Sequence, residues 1–162
     1  MKKETNSWEP TKGDRELDDK ADALEVYPTA TQTFLPMFEA RLESGISHMF
    51  APMCTALPVE EIPQLEEQVR LYVGEIQQAL AQNEFLDVAM AERMADVLTG
   101  LLNKYETYSQ IHRALIVGAA RYFAKADDAA PDTVSLLGFD DDVAVLNYVL
   151  EAVGSGELKI EL

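Results

Sequence analysis

Six carboxylates fall within sixteen residues near the C-terminal end of the chain: Asp127, Asp128, Asp132, Asp140, Asp141 and Asp142. Hard cations such as Mg and Ca take clustered carboxylate oxygens of this kind, so one reading of the stretch is a divalent-metal-dependent enzyme. A second reading needs no ligand. Asp128 and Asp132 end turns around Pro131, Asp140 or Asp141 caps the helix that follows, and the neighbouring carboxylates sit at the positive end of its dipole. The spacing departs from an EF-hand loop, which requires glycine at its sixth position and glutamate at its twelfth. A third arrangement is a partly buried ion pair from Asp128 or Asp141 back to Arg121 or Arg113 on the preceding helix, fixing the loop between them.

Other reactive side chains are sparse. His48 and His112 are the only histidines and Cys54 the only cysteine, so a zinc site or a Cys/His nucleophile would need all three to converge across the fold. Ser109 and Ser135 lack the glycines of a nucleophile elbow, and no glycine-rich phosphate loop occurs. No residue is assigned a catalytic role, and the question of an enzyme rests on the acidic stretch alone. Met37, Met49 and Met53 lie close in sequence to Phe34, Phe38 and Phe50, a composition that serves an adaptable binding surface or, at helical spacing, a core.

Charge narrows the partners. With 29 acids against 13 bases the net charge is −16, which disfavours nucleic acid and anionic membranes, because both repel a surface of the same sign. A basic protein partner fits. No apolar run approaches the roughly 18 residues of a membrane span, and the basic start of the chain is not followed by the apolar segment of a signal peptide. A lone cysteine also leaves no intrachain disulfide. A cytoplasmic location is the expectation.

The elements that must position these groups are helices. Residues 1–28 are rich in Lys, Glu and Asp, carry Pro10 and Gly13, and have Trp8 as their one large aromatic before Tyr27; they read as a mobile tail ahead of a single helical domain, 29–162. Phe34, Leu35, Phe38, Leu42 and Ile46 recur at helical spacing and predict a helix over about 32–48, with Pro36 tolerated in its first turn. A cleaner stripe, Ile62, Leu65, Val69, Tyr72, Val73, Ile76 and Leu80, predicts a second over about 60–82. The third, from Leu86 to Tyr105 with Asp87 as its cap, folds back on the second through Asn83 and Glu84.

Residues 108–124 are apolar nearly all round, which places that helix at the centre, with Gly118, Ala119 and Ala120 allowing close approach of a neighbour. The last helix runs over Asp142 to Val153 and stops at Gly154. The fold class expected is all-α, a compact bundle of about five helices. Two short alternating segments, Leu24 with Val26 and Leu158, Ile160 with Leu162, fall outside that pattern. Three fates stay open for the C-terminal segment: a minor two-stranded pairing with the first, disorder, or docking onto a partner by strand addition.

From Ala114 to Leu150 the order of residues resembles the small bacterial YkvA-type domain of unknown function. That pattern has an apolar helix ending in Tyr-Phe, a loop of the form Pro-x-Asp-Leu-Ile-Pro-Asp, a glycine turn, and Asp-Asp opening another apolar helix. Tyr122 and Phe123 match the helix end; Asp128, Pro131 and Asp132 the loop; Gly138, Asp141 and Asp142 the turn; Val145, Leu146, Val149 and Leu150 the helix beyond. Ala126 replaces the first proline, and Ala129 and Ala130 replace Leu-Ile. The resemblance covers about a quarter of the chain. It implies a helical fold and carries no mechanism.

Together these features point to a non-catalytic interaction or regulatory module, of the adaptor, antitoxin or immunity kind, with an acidic surface for a basic partner. The alternative is the metal-dependent enzyme.

Overall fold

The computed structural model describes residues 29–79, 87–125 and 139–161. The N-terminal segment with Trp8, Leu24 and Val26, the expected hairpin turn at Asn83 and Glu84, the loop carrying Asp127, Asp128 and Asp132, and Leu162 all lie outside the described residues. Within them the chain is all-α, with six α-helices and no strand.

The first periodic segment forms two helices rather than one. Helix α1, Ala30–Glu39, opens on a reciprocal cap: the Thr29 hydroxyl accepts from the Gln32 amide at 3.1 Å, and the Gln32 side chain accepts from the Thr29 amide at 2.9 Å. After a break at 40–43, helix α2 covers Ser44–Phe50. The expected helix over 32–48 is corrected here, and the cause is geometric. Apolar residues at strict four-residue steps rotate by about 40° per step around an ideal helix, so Phe34 and Phe50 would end up on different faces. The break brings both back to the core, where the Phe38 ring stacks on Phe34 at 5.7 Å and on Phe50 at 4.4 Å. Pro36 consequently lies in the second turn of a short helix, on its exposed side.

Helix α3, Ile62–Ala79, follows a 3-10 turn at Val59–Glu61 and buries Ile62, Leu65, Val69, Tyr72 and Ile76, the face that the periodicity predicts. Helix α4, Val88–Asn103, is capped by Asp87, whose carboxylate accepts from the Met90 amide at 2.9 Å. It packs on α3 and on the helix that follows, and buries Ala91, Met94, Leu98 and Leu101. Helix α5, Gln110–Phe123, is capped by the Ser109 hydroxyl and buries every residue from Ala114 to Ala120. It touches α2, α3, α4 and α6, which makes it the central helix. Helix α6, Asp140–Ala152, packs on α5 and ends at Gly154, whose φ of 86° is the left-handed conformation that glycine adopts without a Cβ penalty.

Close approach to α5 depends on one residue. A Cβ built on Gly118 would lie 2.5 Å from Cys54 Sγ and 2.8 Å from a Phe50 ring carbon, so the loop after α2 rests directly on the α5 backbone. The segment beyond Cys54 is held by a second device. The buried Tyr105 hydroxyl donates to the Leu57 carbonyl and accepts from the Leu57 amide, both at 2.7 Å. One side chain thereby satisfies both polar groups of a loop residue 48 positions away.

Candidate functional site

Helix α5 ends at Phe123, and its last turn presents Tyr122 to a lysine two residues beyond the helix. Lys125 Nζ donates to the Tyr122 carbonyl at 3.0 Å and sits 4.1 Å from the centroid of the Tyr122 ring. A cation is favoured there twice, by the negative end of the helix dipole and by the ring face. The side chain is only 11% exposed.

Opposite it is the first turn of α6. Asp140, Asp141 and Asp142 occupy that turn, at the positive end of the α6 dipole. The N-cap itself is Phe139, without a side-chain hydrogen bond, so the expectation that Asp140 or Asp141 caps the helix is corrected: both lie one or two positions inside it and are exposed. Asp142 turns inward. Its carboxylate is 1% exposed and lies 3.5 Å from Lys125 Nζ. A buried carboxylate needs a cation and hydrogen bonds to remain charged, and Lys125 supplies the cation. The pair joins the two ends of a loop that starts on α5 and returns on α6.

Among the described residues the ion pair between the end of α5 and the start of α6 is Lys125–Asp142, whereas the expected pair from Asp128 to Arg121 or Arg113 involves a residue outside them. Arg113 faces another way: Nε donates to the Tyr105 carbonyl at 3.1 Å, a terminal nitrogen donates to the Glu106 carbonyl at 2.8 Å, and the guanidinium lies 5.3 Å from the Tyr105 ring centroid. It ties the start of α5 to the turn after α4. Arg121 is half-buried in the last turn of α5. Lys125 escaped the sequence reading, although a lysine three residues after a helix-terminal tyrosine is the available signal.

The remaining candidates separate. Among the described residues no group of three or more His, Cys, Asp or Glu side chains is placed to hold a metal ion. Asp127, Asp128 and Asp132 lie outside those residues. Cys54 is buried, donates to the Phe50 carbonyl at 3.5 Å, and has its thiol pushed far above the ordinary range by burial, the opposite of an activated nucleophile. His48 is exposed, with Nδ1 2.8 Å from the Ser44 carbonyl oxygen, and His112 follows the Ser109 cap.

At the C-terminal end, Ile160 is buried and both of its backbone groups are taken: its amide donates to the Asn147 side chain and its carbonyl accepts from it, each at 2.8 Å. That binds Ile160 into the domain and removes its edge from a strand-adding partner. Leu158 is exposed.

No helix among the described residues is long and apolar enough to cross a membrane. Comparison of the chain with protein-family models, with curated proteins and with solved structures finds no match.

Proposed function

We propose that the chain is a non-catalytic interaction or regulatory module whose acidic exterior meets a basic protein partner in the cytoplasm. The observation that carries this reading is the division of labour between the two signs of charge. The described residues hold seventeen carboxylates and eight Lys or Arg side chains, and every carboxylate except Glu66 and Asp142 is exposed. Five of the eight cations, in contrast, are engaged by the fold. Arg113 and Lys125 turn onto backbone carbonyls and Asp142, while Arg41 and Lys159 flank Glu151 and Arg70 pairs with Glu67. The outward field is negative and little compensated, which raises the local concentration of a basic protein and its rate of association.

A relation to the YkvA-type domain belongs to the same proposal. What supports it is the position of Tyr122 and Phe123 at the end of α5 and of Asp141 and Asp142 in the opening turn of α6, where that pattern has them.

The test is capture with the full chain at low salt, followed by purification of whatever is captured and measurement of its association rate across ionic strength. A basic partner whose association slows several-fold between about 50 and 200 mM salt is the expected result. Recovery of acidic partners only, or a rate indifferent to salt, would overturn the reading.

A further inference from the structure

Beyond α6 the chain lies back on that helix by a single side chain. Ile160 is 5% exposed, whereas Glu157, Leu158, Lys159 and Glu161 around it are exposed. The backbone leading into it is extended, with φ −57° and ψ 148° at Lys159. Asn147 of α6 grips it: the side-chain amide donates to the Ile160 carbonyl and accepts from the Ile160 amide, both at 2.8 Å. A primary amide matches the donor and acceptor of a peptide backbone, so this grip suits any extended segment and leaves selectivity to the seat that buries the side chain.

The hold is slender. One buried aliphatic side chain, the two Asn147 bonds and the exposed Lys159–Glu151 pair at 3.1 Å work against the conformational freedom of residues 156–161. The tether to α6 is Gly154-Ser155-Gly156, and a Cβ at either glycine would meet nothing within 4 Å, so the segment can swing without displacing packed neighbours. Beside the seat the surface is open. A groove of about 480 Å³ is lined by Lys159, Ile160 and Glu161 together with Ala89, Met90 and Arg93 of α4.

We infer that the Asn147 seat is a peptide-recognition site, covered in cis by residues 156–161, that takes in trans an extended segment of a partner protein with an aliphatic anchor. The chemistry of that occupant is given by what already fits: extended backbone for Asn147, a side chain of isoleucine size for the seat, and a carboxylate after it, as Glu161 follows Ile160, in the groove that Arg93 lines. The cis segment is a tethered competitor at high effective concentration, so the affinity of the partner segment depends on how often the tether opens. A second copy is disfavoured as occupant, because it would bring two chains of net charge −16 together.

In the isotopically labelled full chain, the Ile160 amide should exchange with solvent far faster than amides in the middle of α6, because the segment opens without global unfolding. In the full-length Ile160→Asp variant the Asn147 side-chain resonances should leave their parent positions and return to them on titration with a synthetic peptide of residues 155–162. The parent chain should bind that peptide at least about ten-fold more weakly, and neither protein should bind the peptide with aspartate in place of its isoleucine. Ile160→Ala takes the same role where the aspartate variant does not fold. Exchange of the Ile160 amide only on global unfolding overturns the site, and so does failure of the Asn147 resonances to return at millimolar peptide. Dimerisation of the parent chain that the peptide reverses would give the seat to a second copy and overturn the partner assignment.

Discussion

Lys125 and Asp142, which follow α5 and open α6 respectively, meet at 3.5 Å in a setting where the carboxylate is almost fully enclosed. Removing one member of such a pair leaves a buried charge without its counter-ion, which costs about 3–5 kcal/mol, whereas replacing both by apolar groups of similar volume is often neutral. Asp142→Asn should therefore destabilise the chain by about 3 kcal/mol or more, and Lys125→Met/Asp142→Leu should recover much of that loss. Urea unfolding of the parent and the two variants decides the point. If Asp142→Asn unfolds within about 1 kcal/mol of the parent, the pair does not secure the joint.

Gly118 makes a prediction of opposite sign to Gly74 and Gly100. Alanine at 118 places a methyl group against Cys54 Sγ and the Phe50 ring, and overpacking of this kind costs about 1–3 kcal/mol. Alanine at 74 or 100 meets open space and should stabilise by about 0.5–1 kcal/mol through helix propensity and a less flexible unfolded chain. Melting temperatures of the three single variants would separate the positions; a stabilised Gly118→Ala would show that the loop at Cys54 yields.

Much of this arrangement was legible in the residues themselves, where local pattern and tertiary environment agree. The buried faces of α3 and α4, the Asp87 cap and the all-round burial of α5 follow directly from apolar spacing and capping chemistry. Failures occur where two local rules conflict. The four-residue spacing through Phe34, Phe38, Leu42 and Ile46 reads as one helix, yet only a break lets Phe34 and Phe50 share a core. The acidic stretch showed its carboxylates but hid the difference among them. Which aspartate of three consecutive ones turns inward depends on the phase of α6 relative to α5, a tertiary quantity, and the lysine that receives it lies outside the helix whose arginines had the stronger local claim.

Tyr105 closes both hydrogen-bonding groups of Leu57, so Tyr105→Phe removes one hydroxyl and leaves a loop amide and a carbonyl short of a partner. A lost partner for a part-buried backbone group costs about 1–3 kcal/mol. The expected signature is local as well as global: the Leu57 amide should exchange with solvent markedly faster in the variant, while amides in α4 slow or accelerate only with overall stability. Exchange at Leu57 that tracks the global change alone would mean that other contacts hold the loop.

Alkaline stability follows from groups that burial keeps protonated. The Cys54 thiol is pushed far above its ordinary value of 9.0 by desolvation, and the Tyr148 hydroxyl is raised above 10.0, chiefly by desolvation, against a lowering influence of Arg41. For a group whose folded value lies above its unfolded one, the stabilising contribution is complete below the unfolded value and is lost as pH rises toward the folded value. Stability should consequently begin to fall above about pH 9, by up to about 1.4 kcal/mol per pH unit from Cys54 alone, with Tyr148 adding above about pH 10. The acid side behaves in the reverse sense. Glu151 is lowered by its hydrogen bond from Lys159, so its exposed network weakens only as pH falls below the ordinary carboxylate range. Denaturant unfolding from pH 8 to 11 under reducing conditions, on the parent and Cys54→Ala, isolates the thiol: the variant should lose most of the slope between pH 9 and 10, and an identical decline in both proteins would place the alkaline sensitivity elsewhere.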